Sequence, residues 1–201
     1  MPIRLRRIRT AAVVGIGLVL AVSGCARRSS LMTAGAKDTL AAAPPDKAVV
    51  VFLRPEFKNR AFSAAVYEDG RFIGIVMCGA RLNHETEPGA HRYMVVSEAA
   101  DFLDATLDAG KLYFVRVESR MGVWRARFSL APITPGGGEW SDLRDWVKES
   151  YPVRVNAEGT AWARDNDASV REKERDYLQE WLAKPASERP VLRPGDGVPA
   201  L

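Results

Sequence analysis

Between Lys47 and Pro132 the apolar residues fall into short runs with a period of two, separated by turn-forming residues, a pattern of strands rather than helices. Val49-Val50-Val51-Phe52-Leu53 has no polar member and predicts a central strand covered on both faces. Pro55 to Ser63 reads as a polar loop. Ala64 to Glu68 and Arg71 to Met77 flank the pair Asp69-Gly70, which predicts a tight hairpin, because a type I′ turn needs positive φ at both central positions. Gly79 to Gly89 reads as a second polar loop. Strands are then expected over His91 to Val96, Phe102 to Leu107 and Lys111 to Val117, with Asp108-Ala109-Gly110 turning the chain before the last of these. In the final strand Trp124, Ala126, Phe128 and Leu130 share one side, and Arg125, Arg127 and Ser129 the other. Seven short strands over residues 47–133 predict a mainly β fold, a small antiparallel β-sandwich.

The period changes after Thr134-Pro135-Gly136-Gly137-Gly138, a boundary by composition. Residues 134–185 are expected to form a helical extension. A short helix begins at Ser141 as N-cap, carries Leu143, Trp146 and Val147, and stops at Tyr151-Pro152. Val153 to Val155 suits a short edge strand, and Trp162 packs on the domain. A second helix is expected from about Asp167 to Lys184, with Val170, Tyr177 and Trp181 as its apolar stripe and Leu178 and Leu182 beside it. Arg171 with Glu174, Glu172 with Arg175 and Lys173 with Asp176 would pair on the wet side. One amphipathic helix usually serves its own core, so this helix is read as a cap on the sandwich. The alternative is a docking face for an envelope protein partner through Tyr177 and Trp181. Residues 186–201, rich in proline and glycine, read as a disordered tail.

Ahead of the sandwich the pattern is of a third kind. Arg4, Arg6, Arg7 and Arg9 precede an apolar run from Ala11 to Val22, and small residues then lead to Cys25. The run is about a dozen residues, well short of the roughly 20 that a spanning helix needs, so residues 1–24 read as a leader peptide. Leu20-Ala21-Val22-Ser23-Gly24-Cys25 resembles the lipobox of bacterial lipoproteins. That resemblance implies cleavage before Cys25, a diacylglycerol on its thiol and acylation of the new amino group. Two or more acyl chains give stable anchoring, where one gives only reversible binding. Ala26, in place of an acidic residue, resembles the pattern that sorts to an outer membrane, facing the periplasm. Residues 25–46, small and polar and closing on Ala43-Pro44-Pro45-Asp46, read as the lipidated cysteine and a flexible tether.

The leader also corrects the charge. The chain has 29 basic and 25 acidic residues, but four of the basic ones are the leader arginines, which leaves the mature chain balanced. No concentrated basic face exists to release counterions from phosphates, so nucleic acid is not an expected partner. With Cys25 acylated, Cys78 has no intramolecular partner, and it reads as a small buried hydrophobe at the end of an apolar strand.

Val49-Val50-Val51-Phe52-Leu53-Arg54-Pro55, the stretch from Val66 to Gly74, Glu87-Pro88-Gly89-Ala90-His91, the stretch from Ala109 to Val115 and that from Met121 to Arg127 follow one another in an order similar to that of the bacterial lipoproteins classed as domain of unknown function 2846. The resemblance covers residues 47 to 133 and implies a small sandwich on a lipid anchor, with no catalytic residues to carry over.

Reactive constellations are few. His84, Glu85, Glu87 and His91 could give two imidazoles and a carboxylate to zinc, but Pro88-Gly89 excludes the helix that an H-E-x-x-H site needs, and a solvated loop is the plainer reading. No nucleophile elbow, phosphate loop or dinucleotide glycine pattern is present. The expectation is therefore a membrane-anchored envelope lipoprotein whose sandwich is a non-catalytic binding or assembly module, with no cofactor, metal or catalytic residue assigned and Cys25 as the lipidation site. The alternatives are an accessory subunit of a secretion or envelope complex docking through the C-terminal helix, and a metal-dependent hydrolase using the loop histidines.

Overall fold

The computed structural model describes residues 29–55, 62–121 and 126–201. Cys25 and the leader, Trp124 and Arg125, and most of the loop expected over 55–63 lie outside them. Among the described residues eleven strands form two stacked sheets, so the expected mainly β sandwich is what the chain builds. The first sheet runs in the order β1 (Met32–Ala34), β10 (Tyr151–Val155), β5 (Ala80–Thr86), β2 (Ala48–Leu53), β8 (Leu112–Met121) and β9 (Ala126–Ile133). The second runs β11 (Val191–Leu192), β7 (Ala100–Leu107), β6 (Gly89–Val96), β3 (Ala64–Glu68) and β4 (Arg71–Val76). Three neighbour pairs, β10 with β5, β2 with β8 and β11 with β7, are parallel, so the sheets are mixed where pure antiparallel pairing was expected.

The apolar run at 49–53 is central, and period two explains why it has no polar member. Ala48, Val50 and Phe52 face the second sheet, while Val49, Val51 and Leu53 face a separate cluster on the outer side. That outer cluster is closed by helix α1 (Leu143–Glu149) through Leu143 and Val147, by Leu40 and Ala43, and by Val198 and Leu201. The outer side of the second sheet is covered by helix α2 (Ala157–Leu182). Asp69 and Gly70 have φ of 47° and 78°, so the expected hairpin turn forms with both central residues left-handed.

Several expectations change. Residues 29–46 are not all tether. Met32 is buried, β1 pairs with β10 over three registers, and the Asp38 carboxylate meets the buried Arg81 guanidinium. The segment's alanines and polar residues hid this, because a three-residue strand carries no periodicity to read. The stretch read as a polar loop after Gly79 contains β5, in which Ala80, Leu82, His84 and Thr86 alternate with Arg81, Asn83 and Glu85. Its polar content concealed the strand, since Arg81 and His84 are partnered indoors rather than solvated.

The tail expected to be disordered is tied down instead. β11 pairs with β7, Leu192 is fully buried, and Val198 exchanges backbone hydrogen bonds with Leu112. Those bonds satisfy exposed sheet-edge groups, which composition does not report. Residues 153–155 belong to a strand that is internal, between β1 and β5, rather than at an edge. The short helix is capped at Asp142 rather than Ser141, with no side-chain cap bond. The long helix starts ten residues earlier than expected because Asn156 caps it, its side-chain oxygen accepting from the Gly159 N–H at 2.9 Å. Arg171 pairs with Asp167 one turn back, and Lys173 donates to the Ser97 carbonyl.

Candidate functional site

Strand alternation at the end of β3 sends two neighbouring polar residues to opposite sides of the second sheet. Glu68 turns inward between the sheets and Tyr67 outward beneath α2. A carboxylate taken from water is costly unless its oxygens are occupied. Here Tyr93, its cross-strand partner, donates from its hydroxyl to Oε1 at 3.0 Å, and Arg71, beyond the hairpin turn, donates to Oε2 at 2.9 Å. From the facing sheet, β5 brings His84 Nε2 within 3.0 Å of Oε2 and the Thr86 hydroxyl into hydrogen-bonding contact. His91, two residues before Tyr93 and so on the same side of β6, places Nδ1 at 3.3 Å from Oε1. Every polar atom facing either ring nitrogen of His91 is an acceptor, because Nδ1 also meets Asp69 Oδ2 at 3.2 Å and Nε2 meets the Glu87 carbonyl at 2.9 Å.

The electrostatics follow from this crowding. Burial alone would push the Glu68 carboxyl up, but hydrogen bonds from His84, Thr86 and Tyr93, with the charge of His84, outweigh it and hold the group at about 2. Tyr93 is driven far above the ordinary phenol range by burial and by the adjacent Glu68 charge, so it remains a hydrogen-bond donor. The carboxylate is saturated with donors. It clamps the two sheets at one end.

The four residues singled out by sequence do not converge. His91 lies in its expected strand, His84 lies in β5 rather than in a solvated loop, and the two meet at Glu68, the last residue of β3. Glu85 and Glu87 are exposed, and Glu87 pairs with Lys47. The signal that could have found Glu68 was its place as the one charged residue closing the run Ala64-Ala65-Val66-Tyr67 directly before an Asp-Gly turn. Among the described residues no group of three or more acidic, histidine or cysteine side chains is arranged to hold a metal ion. Cys78 follows β4 at a turn and is partly exposed, where a buried residue was expected.

Trp181 and Tyr177 are placed against their own domain. Trp181 is 2% exposed and its ring meets Phe102 at 5.9 Å, with Arg92 and Arg189 over it at 5.4 and 5.2 Å. Tyr177 is half-buried beside it.

Tyr67, on the other side of β3 from Glu68, lies at the floor of a cleft of about 700 Å³ between the β3–β4 hairpin and the first half of α2. Arg71 joins the two sites, since it bonds Glu68 and also forms part of the cleft wall. No family model matches the chain, and neither a curated protein nor a solved structure matches it.

Proposed function

We propose that this chain is a membrane-anchored envelope lipoprotein, of the kind its sandwich segment resembles, whose β domain is a non-catalytic binding module. The observation that carries the reading is the run of leader arginines, short apolar segment and Val22-Ser23-Gly24-Cys25. Two structural features support the rest. The Glu68 network spends its polar groups on one another, as a structural clamp does. The cleft beside it is concave, aromatic-floored and rimmed by polar side chains, the general make-up of a ligand site.

The fold also sets how the domain would sit. Cys25 is seven residues before Met32, where the chain enters the sheet, so the anchor can stand no more than about 25 Å from the first strand. The domain would ride close to the lipid surface instead of at the end of a long tether. Mass spectrometry of the native polypeptide tests the anchor. A mature chain beginning with an acylated Cys25 is expected, with release from membranes in Cys25→Ser; an unmodified thiol on a freely soluble product would overturn the assignment.

A further inference from the structure

Among the described residues the Tyr67 hydroxyl is buried without a hydrogen-bond partner. The residue is 4% exposed, and leaving a hydroxyl unpaired at such depth is costly, so an unpaired group in a native fold calls for an explanation. Its position supplies one, because Tyr67 lines the floor of the cleft under α2, whose rim carries Asp167, and the Asp167 charge is felt at the hydroxyl. Burial, with Asp167 second, pushes that hydroxyl up to about 12, which keeps it protonated and able to donate.

The rest of the cleft narrows the chemistry. Its charged groups already have protein partners: Arg71 meets Glu68 at 2.9 Å, Arg171 meets Asp167 at 2.7 Å, Arg164 meets Asp165 at 3.2 Å, and Asp69 accepts from the Arg92 backbone N–H at 2.9 Å and faces His91 Nδ1 at 3.2 Å. With each arginine beside a carboxylate, the cleft offers an ionic ligand no unbalanced charge to bind. A neutral molecule rich in hydroxyls can bridge an arginine and an aspartate while both stay paired, and can accept from Tyr67. The floor suits such a molecule as well. Phe72, which lines the cleft and is partly exposed, sets its ring edge-on to Tyr67 at 5.5 Å, an aromatic surface on which the C–H face of a sugar ring can stack.

We infer that the cleft between the β3–β4 hairpin and α2 is a binding site for a neutral saccharide, with Tyr67 donating to a ligand oxygen and the Arg171–Asp167 pair hydrogen-bonding its hydroxyls. This inference rests on the binding-module reading and gives it a ligand class. The mature acylated protein, confirmed by mass and held in detergent micelles, is titrated calorimetrically with tri-N-acetylchitotriose, with maltotriose and with inorganic phosphate. Saturable heat with at least one of the two saccharides is expected, weakened about tenfold in Tyr67→Phe, as one lost ligand hydrogen bond requires, and also in the rim variant Asp167→Asn. Circular dichroism melts of both variants show whether the fold persists, and Arg171→Ser, at an exposed position, repeats the test without touching a buried group. The inference is overturned if neither saccharide binds, if binding is unaltered in all three variants, or if phosphate binds and the saccharides do not. Saccharide binding by a product that carries no acyl chain would remove the lipoprotein reading and leave the site standing. Saccharide cleavage during the titration would remove only the non-catalytic reading.

Discussion

Glu68 is where a single side chain has the widest consequences. Five groups from three other strands converge on it, so neutralising it frees His84, His91 and Arg71 at once. Removing one partner of a buried polar network costs more than the pair contributes, because Tyr93 and the other buried partners stay indoors without it. Glu68→Gln is expected to lower stability by about 3 kcal/mol in urea unfolding, with unchanged steepness of the transition. The acid side is a separate check. The folded carboxyl sits at about 2, below its ordinary value of 4.5, so its contribution is complete above the upper figure and is lost as pH falls toward the lower. Melting temperatures of the native protein should therefore drop through that window more steeply than those of Glu68→Gln. Parallel curves would show that another carboxylate governs acid unfolding.

At the scale of elements, the N-terminal strand depends on a glycine in the long helix. Asn156 donates from its side-chain amide to the Ser30 carbonyl at 2.7 Å and from its backbone to Leu31, which brings the start of α2 hard against the segment before β1. A Cβ on Gly159 would stand 2.2 Å from the Leu31 carbonyl oxygen. Helix propensity alone says that Gly159→Ala should stabilise α2 by about 1 kcal/mol. The contact predicts the opposite sign, since either β1 or the helix start must move. Hydrogen exchange at Thr33 and Gly35 should accelerate about tenfold in Gly159→Ala, with β2 unaffected. Net stabilisation with slow β1 exchange would show that the helix can shift without loss.

For the molecule as a whole, Arg81 holds three layers together. It is fully buried on the outer face of β5, donates to the Val147 and Ser150 carbonyls that end α1 at 3.0 and 2.8 Å, and meets Asp38 of the N-terminal segment. A cation at a helix C-terminus also opposes the helix dipole. Arg81→Met keeps the volume and removes those bonds. A loss of roughly 2 to 4 kcal/mol is expected, together with faster proteolysis between Gly35 and Ala43, because the segment's charged fastening is gone. Destabilisation without any change in cleavage would mean that Leu40 and Ala43 hold the segment by packing alone.

Sequence by itself determined the elements whose residues state their surroundings locally. Val49 to Leu53 had no polar member, so it could only be a strand covered on both sides; Asp69-Gly70 could only be a tight turn; and the stripe Val170, Tyr177, Trp181 could only be one face of a helix. Such features depend on neighbours within a few positions, and periodicity reports them. Tertiary structure decided everything that depended on distant partners. β1 and β11 are strands because a sheet edge offered hydrogen bonds, and β10, legible as a strand, lies inside the sheet because β1 covers its outer edge. β5 is a strand although it is polar, because Arg81 found α1 and Asp38, and His84 found Glu68. The two histidines marked the right region, but the carboxylates beside them in sequence were not the one they meet. Glu85 and Glu87 were near in sequence, whereas Glu68 became near only when the two sheets closed, and no spacing along the chain encodes a distance across a sandwich.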